Sequence, residues 1–133
     1  MIIAFIAVIF VFGSFLFVKN ANDIDINSVT GMNLIFNHKS TEINQQLTDE
    51  DSQTIISILN DHHFINRHIM GELSCGFSED VCFTADGEIY ELACDGCPYI
   101  FAKNSGKYIE LTDEERDTIA KIVQKNGGYF PCV

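Results

Sequence analysis

Five cysteines, at positions 75, 82, 94, 97 and 132, are the residues of this chain best suited to chemistry. Two of them form Cys94-Asp95-Gly96-Cys97, a CxxC pair on a tight turn, followed by Pro98. With Cys75 and Cys132 added, three kinds of chemistry are open. Structural disulfides would join Cys75 to Cys94 or Cys97, with Cys132 taking another, each adding roughly 2–4 kcal/mol. A tetrahedral zinc site would use the thiolates of Cys75, Cys94, Cys97 and Cys132, although a second CxxC pair is missing. A redox-active CxxC normally opens a helix, whose dipole lowers the thiol pKa. Here the pair lies between strands. Disulfides are therefore the leading expectation, with zinc or thiol redox centred on the Cys94–Cys97 turn as the alternative.

Other residue types offer less. His62, His63 and His68 are close in sequence, yet a pair of histidines at a helix end more simply meets the helix carbonyls or water. Nothing in the chain places a cysteine or serine beside an imidazole as nucleophile and base. The acidic runs Asp49-Glu50-Asp51 and Asp113-Glu114-Glu115 lack the ligand spacing and glycine of a calcium loop. There is no phosphate loop and no dinucleotide fingerprint. With 19 Asp+Glu against 8 Lys+Arg, the net charge of −11 argues against nucleic acid, which needs clustered cations. The expected activity is non-enzymatic.

The elements that must position the cysteines are legible from turns and periodicity. Asp86-Gly87, between VCFTA and EIYELAC, is a strong two-residue hairpin signal that pairs Phe83 with Tyr90 and Val81 with Leu92. Asp95-Gly96 as a second such turn pairs Leu92 with Tyr99 and Tyr90 with Phe101. A three-residue loop at Asn104-Ser105-Gly106 pairs Phe101 with Ile109 and Tyr99 with Leu111. These registers predict a four-stranded antiparallel meander over about 78–111. One face would carry Val81, Phe83, Tyr90, Leu92, Tyr99, Phe101, Ile109 and Leu111. The Cys94–Cys97 turn lies at the end where the first strand enters, so Cys75 belongs there too, and a six-residue tail can bring Cys132 back. Cys82 falls mid-strand on the opposite face, beside Glu91.

Two amphipathic helices are expected to cover the apolar face, over about 48–60 and 112–126. Leu47-Thr48-Asp49-Glu50 and Leu111-Thr112-Asp113-Glu114 open them alike, each with a capping threonine and an acidic first turn. Their apolar stripes are Ile55, Ile58, Leu59 and Ile119, Ile122, Val123. Asn126-Gly127-Gly128 stops the second. Upstream, Met32, Leu34 and Phe36 alternate before a turn at 37–40 and Ile43, the pattern of a short strand pair. The expected class is a two-layer α+β domain over 32–133.

Residues 1–18 carry none of the 27 charged side chains. As a helix they would span roughly 27 Å, against a bilayer core of about 30 Å. No Lys or Arg precedes the run, and no small-residue cleavage site follows it, so an uncleaved transmembrane or signal-anchor helix fits better than a signal peptide. Residues 19–31 are polar and small, a juxtamembrane linker. Lys19 alone leans toward a cytoplasmic domain, whereas five cysteines suit an oxidising compartment. The second consideration is the stronger. The expectation is a membrane-anchored, extracytoplasmic binding domain, attached through residues 1–18 and meeting a protein partner.

Overall fold

The computed structural model describes residues 26–133. The membrane-spanning helix expected over 1–18 lies outside these residues, as does the first part of the linker. Among the described residues no helix is long and apolar enough to cross a membrane. After a 3-10 turn at Ile26–Ser28 come strands β1 (Asn33–His38) and β2 (Thr41–Gln46), then helix α1 (Asp49–Asn60). Strand β3 (Ile65–Asn66) and the single-turn helix α2 (Arg67–Met70) follow. Strands β4 (Phe77–Ala85), β5 (Glu88–Ala93), β6 (Tyr99–Ala102) and β7 (Lys107–Glu110) lead to helix α3 (Asp113–Lys125).

The sheet corrects the expected four-stranded meander with two helices. It has seven antiparallel strands in the order β2-β1-β4-β5-β6-β7-β3, and the described residues form three α-helices. β4–β7 are the meander, but its outer edges do not stay open. β1 pairs with β4, setting Leu34 beside Phe83 and Phe36 beside Val81, and β2 completes the β1 hairpin. The physical reason is twofold. An uncovered β4 edge would leave a row of backbone donors and acceptors without strand partners, and Leu34 and Phe36 extend the same apolar face. At the other edge the two residues of β3 pair with β7.

The registers within the meander are half as expected. Asp86 and Gly87 both adopt positive φ, 47° and 79°, and Phe83 pairs with Tyr90. Downstream, Leu92 pairs with Ile100 and Tyr90 with Ala102, one residue away from the expected partners. The β5–β6 connection is five residues, 94–98, because Pro98 cannot donate to a ladder between two central strands. Pro98 serves instead as an acceptor, its carbonyl taking the Leu111 N–H at 2.6 Å. The β6–β7 turn is also one residue longer than expected. Ala102 pairs with Lys107, and the Glu88 carboxylate accepts the Asn104 and Ser105 N–H groups at 2.7 and 3.1 Å. The two slips cancel for β7, so Ile109 and Leu111 keep the core face. Only β6 is turned over, with Ile100 and Ala102 fully buried in the core. Phe101 instead joins Phe77 and Tyr108 across the sheet, with ring centroids 4.7–5.8 Å apart.

Both long helices lie on the core face, where Ile55, Leu59, Ile119 and Val123 pack with Leu34, Phe36, Phe83 and Tyr90. Ile26 and Val29 belong to the same core. Thr48 caps α1 by accepting the Asp51 N–H, and Thr112 with Glu115 forms a reciprocal capping box on α3. Gly127 (φ 93°) ends α3: its N–H reaches Gln124 O and that of Gly128 reaches Val123 O, a Schellman closure. Thr112→Ala should cost about 1 kcal/mol, read as a lower denaturant midpoint with unchanged slope.

The helices run antiparallel and are tied at both ends. Lys125 Nζ meets Asp51 Oδ1 at 3.0 Å, and His62 Nε2 meets Glu115 Oε1 at 2.9 Å. Burial pushes the Asp51 carboxyl upward, but Lys125, Thr48 and Asn126 together hold it below its usual value. Each acid of these pairs sits in a helix's first turn, so the contacts also favour the helix dipoles.

Candidate functional site at the cysteine end of the sheet

The expected site residues meet at the end of the sheet that holds the β5–β6 connection. Cys75 and Cys97 are joined by a disulfide, with Cα atoms 5.9 Å apart. Cys94 is half-buried, and its N–H donates to Gly76 O at 3.1 Å. Cys132 is buried on the tail after α3, its thiol donating to Tyr129 O at 3.4 Å with Cys94 as a neighbouring thiol. Burial, with the neighbouring Cys94, pushes the Cys132 thiol up to about 12.

The local chain explains this gathering. The Arg67 N–H donates to Gly106 O at the β6–β7 turn, while Cys75 is bonded at the other end of β6. Residues 67–75 are thus a strap running the length of β6, and the disulfide fastens its far end. The hub is Asp95, by sequence only a turn former. One carboxylate oxygen accepts the Cys97 N–H at 3.2 Å and the other accepts the Gly76 N–H at 2.8 Å. The first of these is an Asx-turn contact, the signal that an Asp after the first cysteine offered. Arg116 of α3 carried no sequence signal. Its guanidinium lies 5.6 Å from the Phe130 ring centroid and packs against Gly96, bridging the turn and the tail.

Among the described residues, the donor atoms of Cys75, Asp95 and Cys97 lie within 4.8 Å of one another. With the disulfide broken they would offer two thiolates and a carboxylate, to which Cys94 and Cys132 are the nearest further cysteines. The zinc alternative at Cys75, Cys94, Cys97 and Cys132 therefore concerns the reduced chain, since bonded sulfurs are not thiolates. The CxxC pair is not closed on itself: the partner of Cys97 is Cys75. The histidines are dispersed. His62 binds Glu115, His38 packs at 5.4 Å on Tyr129, and the His68 N–H donates to Asn66.

Cys82 stands apart, paired with Glu91 across β4 and β5 on the face opposite the helices. Its thiol donates to Glu79 O at 3.2 Å, and burial with the Glu91 and Asp80 carboxylates pushes it up to about 12. Glu91 is itself buried, and burial raises its carboxyl above the usual value. Lys103 Nζ lies 3.6 Å from it and also binds Glu79. For an acid with a raised folded pKa, the charged form weakens the fold. That penalty is full above the folded pKa and gone below the unfolded value near 4.5. Glu91→Gln should therefore raise Tm at pH 8, with the advantage shrinking as pH falls toward 4.5, and Lys103 keeps Glu79 as partner. Thermal unfolding across that pH range checks it.

An open groove of about 600 Å³ lies between α1 and α3, lined by Gln53, Thr54 and Ile58 and bordered by Glu50, Glu114 and Glu115. Comparison of the chain with protein-family models, with curated proteins and with solved structures finds no significant match.

Proposed function

We propose that this chain is a membrane-anchored, extracytoplasmic binding domain without catalytic activity, attached through residues 1–18 and held rigid by disulfides. The observation that carries the reading is the Cys75–Cys97 bond, which suits an oxidising compartment. The engagement of the other reactive groups supports it: Cys82 and Cys132 donate to backbone carbonyls, and His62 is tied to Glu115. The acid excess favours a partner with basic groups over nucleic acid.

A reporter active only outside the cytoplasm, fused to the C-terminus, tests the placement. Strong signal is expected, and signal only from a cytoplasmic reporter overturns it. The second reading, a zinc or thiol-redox protein, draws on the close approach of Cys75, Asp95 and Cys97. Stoichiometric zinc in the purified full-length chain, with its thiolates protected from alkylation, would select that reading instead.

A further inference from the structure

We infer that Cys94 and Cys132 are an oxidation site, closing to a second disulfide that staples the C-terminal tail to the β5–β6 connection. The inference rests on the extracytoplasmic reading for its setting, while the pairing is argued from where the fold puts the two side chains. Both are free thiols at the same end of the sheet, and Cys94 is the thiol that neighbours Cys132. Cys132 is 4% exposed, and Cys94 packs against the same core cluster. The surrounding frame holds the two partners in place from both sides. The Cys94 backbone is fastened to Gly76, one residue from the existing disulfide. The tail is held by Arg116, whose guanidinium reaches over Phe130 on one side and against Gly96 on the other.

A buried thiol whose pKa is raised is a poor nucleophile. The half-buried Cys94 is the one that an incoming oxidant meets, and Cys132 resolves. The oxidant is a disulfide of the dithiol-exchange class. The Cys94 thiolate attacks it, forming a mixed disulfide and expelling one thiol. Cys132 then attacks the Cys94 sulfur and expels the second. The sum is two protein thiols plus one external disulfide giving one protein disulfide plus two external thiols, with no net proton change. Cys82 is not part of this chemistry. It is on the other face of the sheet, so it provides an internal control thiol that stays reduced.

The closed bridge would leave the chain with the same connectivity logic at both ends of the site. Cys75–Cys97 fastens the strap that precedes β4, and Cys94–Cys132 fastens the tail that follows α3. The four cysteines of one turn region would then tie the β5–β6 connection to the chain on either side of it.

The test uses the purified full-length chain in mild detergent, incubated with oxidised glutathione and then alkylated after denaturation. One free thiol per chain is expected after this treatment, against the three free cysteines of the structure, with Cys82 the labelled residue and a Cys94–Cys132 linked peptide in the non-reduced digest. Cys94→Ser should leave two labelled thiols, Cys82 and Cys132, whereas Cys132→Ser should trap Cys94 as a mixed disulfide with glutathione and leave Cys82 as the labelled thiol. Three labelled thiols in the oxidised wild type overturn the inference, as does a linked peptide joining Cys94 to Cys97. A bridge that forms with glutathione yet is absent from the chain alkylated directly in cells leaves the pairing standing and counts against the extracytoplasmic reading.

Discussion

Cys97→Ser is expected to destabilise the domain by about 3 kcal/mol and to lower Tm by roughly 10–15 °C. The figure follows from the 22-residue separation of Cys75 and Cys97, whose closure restricts the unfolded chain. The folded state loses something as well. The strap from Arg67 to Cys75 would stay fastened by the Arg67–Gly106 hydrogen bond at one end, while only the Asp95 carboxylate and the Cys94 N–H would hold Gly76 at the other. Denaturant unfolding of the variant and the wild type, each with and without reductant, checks this. Reduction should bring the wild type down to the variant's level and move the variant much less. Equal midpoints for the two oxidised proteins would show that the bond adds nothing.

The second large effect concerns β6. Ile100→Ala should cost about 2–5 kcal/mol, because it empties a site with no exposed surface and neighbours on all sides. Phe101→Ala should cost about 1–2 kcal/mol: Phe101 is half-buried and loses a stacked contact with Tyr108 at 4.7 Å, not a place in the core. The larger side chain thus gives the smaller effect. The reverse order would mean that β6 faces the way its flanking turns suggest, with Phe101 under the helices. Equilibrium unfolding of the two single variants decides between them.

Much of the frame was readable from residues. The capping threonines, the acidic first turns and the apolar spacing set both long helices within a residue or two of where they lie. The Asp86-Gly87 turn set the register of its hairpin, because both residues tolerate positive φ and the pairing it produces is apolar on the buried face. These are local signals, complete within a dozen residues. The same local logic failed at Asp95-Gly96. There the turn composition was right for a two-residue loop, but the side chain of Asp95 is committed to Cys97 and Gly76, and Pro98 cannot join the ladder. Pro98 was the warning in the sequence. At the next turn no such warning existed, since the groups that lengthen it are the carboxylate oxygens of Glu88, from a different hairpin.

The candidate site divides in the same way. That Cys75, Cys94 and Cys97 share one end of the sheet followed from strand direction, which survives a one-residue slip. Which sulfur bonds which did not follow, because a slip of one residue moves a side chain from one face to the other. Asp95 and Arg116 carry no such signal as organisers, the first because its contact to Gly76 spans 19 residues, the second because its two partners lie in the β5–β6 connection and the C-terminal tail, both outside its own helix.

By itself the sequence determined an acidic chain with an uncharged first eighteen residues, two capped helices, one apolar sheet face and four cysteines able to meet. Periodicity, capping and turn chemistry act between near neighbours, so they are written where they operate. Only the tertiary structure decided that the sheet has seven strands, that β6 is turned over, and that Cys97 takes Cys75 as its partner. Those outcomes are settled by competition among groups far apart in the chain. The β4 edge needs a partner strand, the Glu88 carboxylate needs donors, and the two cysteines bond only once the strap has crossed the length of β6.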